Sequence, residues 1–175
     1  MGRQMTLSVN LKIHEVRSND DIEAVILLAA KMHELNAPHL DFDPTCIRRY
    51  YEAIKRDMDR DSYNCFIAYV DNKPAGFLVC IASEYFFSRQ ICARQELWYV
   101  DPLYRNVRVS FELMRAFEEW ARLRGAVEII TGVMIVDEPE RAEKIGNMLT
   151  RMGYPKVGSY HTRALTLRKP EHEPV

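Results

Sequence analysis

Hydrophobic and polar positions alternate from Leu7 to Val16 as LSVNLKIHEV, so that Leu7, Val9, Leu11 and Ile13 share one face. That is the two-residue period of a half-buried strand. The period then changes. Ser18-Asn19-Asp20-Asp21 offers cap residues and early negative charge, and Ile22, Val25, Ile26 and Ala29 follow at helical spacing to about Leu35. Asn36 to Phe42 reads as a loop, after which Asp43-Pro44 restarts a helix whose apolar stripe is Ile47, Tyr50, Tyr51 and Ile54.

Tyr63 to Val70 and Ala75 to Tyr85 are rich in β-branched, aromatic and other apolar residues, with the turn signal Asp71-Asn72-Lys73-Pro74 between them, and predict an antiparallel hairpin. A fourth strand is expected from about Ile91 to Val100, stopping at Pro102, which has no N–H for a ladder. From Val109 the spacing is helical again: Leu113, Ala116, Phe117, Trp120 and Ala121 form one face, charged residues the other, and Gly125 ends the helix. Val127 to Val136 predicts a fifth strand, apolar enough to be central. Asp137 to Glu140 then opens a helix ending at Met152-Gly153, and Ser159 to Leu167 is the last strand. The order β α α β β β α β α β predicts one mixed α/β sheet with helices on its faces.

At 175 residues the chain suits a single domain, expected over 1–168, with 169–175 as a mobile tail. A formal net charge of −1 exerts no global pull on nucleic acid or anionic membrane, so any anion binding is local. The face carrying Arg48, Arg49, Lys55 and Arg56 is short and lacks interleaved exposed aromatics, which argues against nucleic-acid binding. No apolar run reaches the ~18 to 20 residues of a membrane span. Cys46, Cys65, Cys80 and Cys92 form no C-x-x-C pair and read as small buried thiols in a reducing, cytoplasmic setting. His33, His39 and His161 have no metal-ligand spacing, so no metal is expected.

The run ELWYVDPLYRNVRVSFELM from Glu96 to Met114 resembles the GNAT superfamily of N-acetyltransferases, in which the fourth strand ends in a similar apolar-x-V-x-P segment. There an aromatic and R/Q-x-x-G-x-G/A follow at a helix start. Arg105 matches the first position, whereas Arg108 and Ser110 stand where the glycines belong, a loosened motif similar to that of bacteriophage-encoded members. Lys73-Pro74-Ala75-Gly76-Phe77 and Met152-Gly153-Tyr154 are similar to two further family segments, and the order of elements matches over nearly the whole length.

The resemblance implies a single-domain GNAT-like fold: a mixed, largely antiparallel central sheet, splayed fourth and fifth strands, and helices on both faces. It implies acetyl-CoA as cosubstrate, with Trp98, Tyr99 and Val100 along its acetyl-pantetheine arm. The loop and helix start Arg105, Asn106, Val107, Arg108, Val109 and Ser110 would receive the pyrophosphate. A helix start suits an anion because its first N–H groups are unpaired and the dipole is positive there; Asn106 tolerates left-handed geometry and Ser110 is small, which offsets the missing glycines.

Glu96 matches the position of a glutamate base, needed because an ammonium must lose a proton before attacking a thioester. The resemblance places acceptor contacts at His33, Glu34 and the 36–42 loop, and at Glu84 and Tyr85. Leu149 stands where the family carries a tyrosine general acid. Two functions follow as expectations: an N-acetyltransferase acting on an unidentified amine, small molecule or protein, by direct attack; or a GNAT-fold binding module without turnover. The oligomeric state is open between monomer and homodimer.

Overall fold

The computed structural model describes residues 10–56, 62–105, 108–133 and 139–159, which divide after Gly132 into two compact units. The first unit holds strand β1 (Leu11–Glu15), helices α1 (Asn19–Asn36) and α2 (Pro44–Arg56), strands β2 (Tyr63–Val70), β3 (Lys73–Tyr85) and β4 (Ser88–Val100), helix α3 (Val109–Leu123) and strand β5 (Ala126–Ile130). A single 3₁₀ turn, Pro102–Tyr104, links β4 toward α3. The strands lie side by side in chain order, antiparallel except for the parallel pair β4 and β5. This is the mixed, largely antiparallel sheet expected from the sequence.

Local chemistry accounts for most boundaries. In β1, Leu11 and Ile13 are half-buried while Lys12 and His14 face solvent. Ser18 caps α1 by a reciprocal box: its hydroxyl accepts from the Asp21 N–H at 3.1 Å, and the Asp21 carboxylate accepts from the Ser18 N–H at 3.1 Å. That carboxylate, in a residue only 7% exposed, also accepts from His14 Nε2 at 3.0 Å, the Tyr69 hydroxyl at 3.1 Å and the Arg17 N–H at 3.3 Å. Burial pushes its pKa up, but the hydrogen bonds from His14 and Ser18 outweigh this and hold the carboxyl far below the usual range.

Two predicted boundaries move. The β2–β3 turn is two residues, Asp71 and Asn72, both at positive φ (48° and 62°), and Lys73 and Pro74 already belong to β3. Paired left-handed residues match the twist of the flanking strands, so four turn-forming residues in sequence give only a two-residue loop. β4 begins at Ser88 rather than Ile91, paired back onto β3 through Tyr85↔Ser88.

Successive strand residues point to opposite faces, and each face has its own cover. Ile22, Val25 and Leu28 of α1 and Tyr51 of α2 cluster with Cys65, Ile67, Phe77, Val79 and Tyr99. On the other face Phe66, Ala68 and Leu78 are buried, and α3 supplies the fully buried Leu113, Met114 and Phe117. Fully burying an aliphatic or aromatic side chain is worth ~1.5 to 3 kcal/mol, so these two layers are what hold the sheet and its helices together. Cys65, Cys80 and Cys92 are buried free thiols, whereas Cys46 is exposed in the first turn of α2, a correction to the uniform burial expected of all four.

The fifth strand is shorter than predicted within the described residues. β5 stops at Ile130, Thr131 to Val133 are not strand, and 134–136 lie outside the described residues. Val127 and Glu128 are exposed, and of the described strands β5 stands last in the sheet.

In the second unit α4 (Pro139–Arg151) ends as the sequence predicts. Gly153 at φ 95° lets the Tyr154 N–H reach the Leu149 carbonyl at 3.0 Å, a left-handed C-terminal closure. Leu149 is buried. The predicted cap Asp137 and the predicted last strand beyond Ser159 lie outside the described residues.

Candidate active site

Two parallel strands that part company end their shared ladder, and this happens between β4 and β5. Their register runs from Ile91↔Ala126 to Arg94↔Ile130 and ends there, while β4 continues to Val100. At the vertex the Gln95 Oε1 accepts from the Thr131 hydroxyl and, at 3.4 Å, from the Gly132 N–H. A side chain thus closes the fork where the ladder gives out. Beyond it, the β4 edge from Glu96 to Val100 faces no strand among the described residues. Buried backbone donors and acceptors demand partners, so this edge suits an extended ligand arm lying alongside it.

β4 carries a bulge at the same place. Val79 pairs with Leu97 and Cys80 with Gln95, which leaves Glu96 as the extra residue. A bulge re-aims the side chain it carries. Glu96 is exposed, and its charge reaches α2: burial is the main reason the Tyr50 phenol is pushed up, with Glu96 among the charges that add to it. Close approach of β3 to β4 is part of this geometry. A Cβ on Gly76 would sit 2.7 Å from the Tyr99 carbonyl oxygen, so only glycine fits there.

At the top of β4 the chain turns through Asp101, 2% exposed. Its N–H donates to the Ala75 carbonyl at 2.9 Å, its carbonyl accepts from the Tyr104 N–H at 2.9 Å, and its Oδ1 accepts from the Leu103 N–H at 2.9 Å. Its Oδ2 accepts from Lys31 Nζ, on α1, at 2.6 Å. Burial alone would raise this carboxyl, yet Lys31, the Leu103 N–H and the nearby Arg105 charge hold it below its usual value. Helix α3 then starts without a side-chain cap: Arg108 provides none, and the first closing bond is Glu112 N–H to the Arg108 carbonyl at 3.0 Å. The N–H groups of Val109, Ser110 and Phe111 precede that bond and point out of the helix end, the place where an anion is stabilised.

The residues expected from the sequence divide into two groups. Trp98, Tyr99 and Val100 line the open part of β4; Tyr99 and Val100 are buried in the core, so the strand's backbone is what they offer to a ligand. Ser110 lies in the first turn of α3 and Val109 is fully buried beneath it. Arg105 is half-buried, its charge felt by Asp101, and Arg108 donates to Glu112 at 2.8 Å while lying 5.5 Å over the Phe111 ring. Asn106 and Val107 lie outside the described residues.

His33 tethers the loop after α1, donating to the Leu40 carbonyl at 2.7 Å and packing at 5.4 Å against Phe42; Glu34 is exposed. Glu84 and Tyr85 are not brought together with Glu96. They pair with Ile91 and Ser88 toward the other end of β4, roughly 17 Å and 26 Å from Glu96 at ~3.3 Å per strand residue, where the Tyr85 hydroxyl donates to Glu128.

Sequence reasoning missed Gln95, Lys31, Asp101 and Thr131. Only Asp101 carries a local signal, an Asp-Pro at a strand end that caps the following turn. Among the described residues no cluster of His, Cys, Asp or Glu has the makings of a metal site, and no helix is long and apolar enough to cross a membrane.

Comparison with known proteins adds to this geometry. The model of the acetyltransferase (GNAT) family matches residues 29–145. Glucosamine-6-phosphate N-acetyltransferase from Arabidopsis thaliana is similar in structure with a TM-score of 0.70 at 12% identity, covering 90% of this chain and 99% of that one. An acetyltransferase from Trypanosoma brucei gives 0.67 at 13% identity, covering 89% and 100%. AAC(6')-Iy in complex with the bisubstrate analog CoA-S-monomethyl-acetylneamine gives 0.65 at 20% identity, covering 89% and 99%. No curated protein matches the sequence. At such identities the likeness to these structures is one of fold.

Proposed function

Because the chain belongs to the GNAT acetyltransferase family, we propose that it is an N-acetyltransferase that uses acetyl-CoA to acetylate a primary amine. The observation that carries this reading is the fork: β4 leaves its partner after Arg94, and its bulge presents Glu96 just past the vertex.

The residues present fit acetyl-CoA. The β4 edge from Glu96 to Val100, which faces no strand among the described residues, would hold the pantetheine arm, and the start of α3 at Val109, Ser110 and Phe111 would hold the pyrophosphate. When bound, the cosubstrate supplies an acyl thioester, an electrophile already activated toward an amine. Glu96 takes the proton from the acceptor's ammonium, whose pKa near ~10 leaves few neutral molecules at neutral pH. Two of the chain's thiols are poor nucleophiles: burial pushes Cys65 up to about 12 and Cys80 higher still. Direct attack by the amine, without an acyl-enzyme, is the route that this chemistry favours.

Leu149, buried where the family carries a tyrosine, supports a second reading as a binding module that keeps the cosubstrate without turnover. Isothermal titration with acetyl-CoA tests what both readings share; no binding at ~1 mM, where a site worth about −4 kcal/mol still shows, overturns both. A thiol-release assay over a panel of amines and peptides then separates them: release of CoA above the hydrolysis background supports the transferase, and its absence supports the module.

A further inference from the structure

We infer that Asp101 and Lys31 are positioning residues for the phosphate end of the cosubstrate, a brace in which a buried carboxylate ties the segment leading into α3 to helix α1. The inference rests on the acetyl-CoA reading above. It starts from an oddity of burial. A carboxylate 2% exposed at the end of a central strand is costly unless its oxygens are satisfied and its charge is balanced.

Both conditions hold here, and each partner belongs to a different part of the site. Oδ1 takes the Leu103 N–H at 2.9 Å and so shapes the 3₁₀ turn. Oδ2 takes Lys31 Nζ at 2.6 Å across 70 residues of sequence. The main chain of the same residue is pinned on both sides, donating to Ala75 and accepting from Tyr104. Arg105, one residue past the turn, lies close enough for its charge to act on the carboxylate. The direction in which the chain leaves β4 toward α3, and the stance of Arg105, therefore depend on a single anion whose balancing cation stands on another helix.

Lys31 has a role beyond neutralising a charge. An ammonium has three donors, Asp101 takes one, and the side chain remains 44% exposed. It is thus a partly exposed cation fixed at the top of β4, beside the segment that leads to α3. Neither residue touches the reacting end of the fork near Glu96, because Asp101 lies beyond the last residue of β4. Their influence falls on phosphate recognition and spares the thioester arm.

The test compares CoA with pantetheine, which lacks the phosphates, by isothermal titration on the parent, on Asp101→Asn and on the double variant Lys31→Met with Asp101→Asn. Asparagine keeps an oxygen for the Leu103 N–H and drops the charge. The double variant removes both charges, so that neither is left buried alone if a single change fails to fold. Expected is a roughly tenfold weaker CoA affinity in the double variant, equivalent to ~1.4 kcal/mol, with pantetheine affinity unchanged.

In the ligand-free double variant, amide exchange at Leu103 and Tyr104 should also quicken while that of the buried α3 residue Phe117 does not. Unchanged CoA affinity, or equal weakening of both ligands, overturns the inference in favour of a purely structural pair. A parent protein that binds neither ligand overturns instead the acetyl-CoA reading on which it stands.

Discussion

Replacing Glu96 by glutamine removes the charge at the bulge and keeps the length and volume of the side chain. The backbone register that creates the bulge, Val79↔Leu97 beside Cys80↔Gln95, does not involve the Glu96 side chain, so the fork should survive the change. The magnitude follows from what the base must do. A primary ammonium of pKa ~10.4 is neutral in only about 0.1% of molecules at pH 7.5, and in about 10% at pH 9.4.

If Glu96 delivers the neutral nucleophile, its loss lowers turnover by up to ~10³-fold at pH 7.5 and by only ~10-fold at pH 9.4, within the usual range for a positioned base. Because Glu96 is exposed, water reaches the same position and relieves part of the loss, which places the expectation toward the lower end at each pH. The assay is steady-state thiol release at saturating acetyl-CoA and amine from pH 6.5 to 9.5, with acetyl-CoA affinity measured alongside. Wild-type turnover across that range, or a deficit that does not shrink as pH rises, would refute the assignment of Glu96 as the base.

The Asp21 hub yields a prediction for stability. Its folded pKa is depressed, so its contribution is complete above the unfolded carboxylate value near ~4 and is lost as pH falls below that. Asp21→Ala should cost about 2 to 4 kcal/mol in urea unfolding at pH 7, since a cap and the Tyr69 and His14 bonds go together, and the gap to the parent should narrow below pH ~4; parallel curves would argue against the hub. Gly76→Ala would drive a Cβ to 2.7 Å from the Tyr99 carbonyl, so a loss of about 1 to 3 kcal/mol in thermal unfolding is expected, together with weaker CoA binding as β4 shifts; an alanine variant with parental melting and affinity would show the strands have slack.

Much of this protein is written locally. The box of Ser18 and Asp21, the left-handed Gly125 and Gly153 after their helices, and the apolar stripe of α3 act within a few residues, so the sequence alone determined where these helices begin or end. The same held for the strands: alternation identified β1, and apolar runs identified β2, β3 and β4, because a strand's two faces meet different surroundings. Glu96 could be named as a candidate because the resemblance to the GNAT superfamily places a base at that point of the fourth strand.

That it is the extra residue of a bulge could not, since a bulge is a mismatch between two strands and exists only once β3 and β4 have chosen a register. The depth of the fork, too, is set where β5 leaves the ladder after Ile130 and Gln95 meets Thr131 across 36 residues. Glu84 and Tyr85 share the strand next to β4 with Val79 and Cys80, and only the antiparallel pairing sends them to the far end. Lys31 and Asp101 show the division most clearly. Neither has a sequence neighbour that announces the other, and their meeting depends on α1 packing over the sheet, because burial makes the carboxylate need a cation and the tertiary fold alone decides which one arrives.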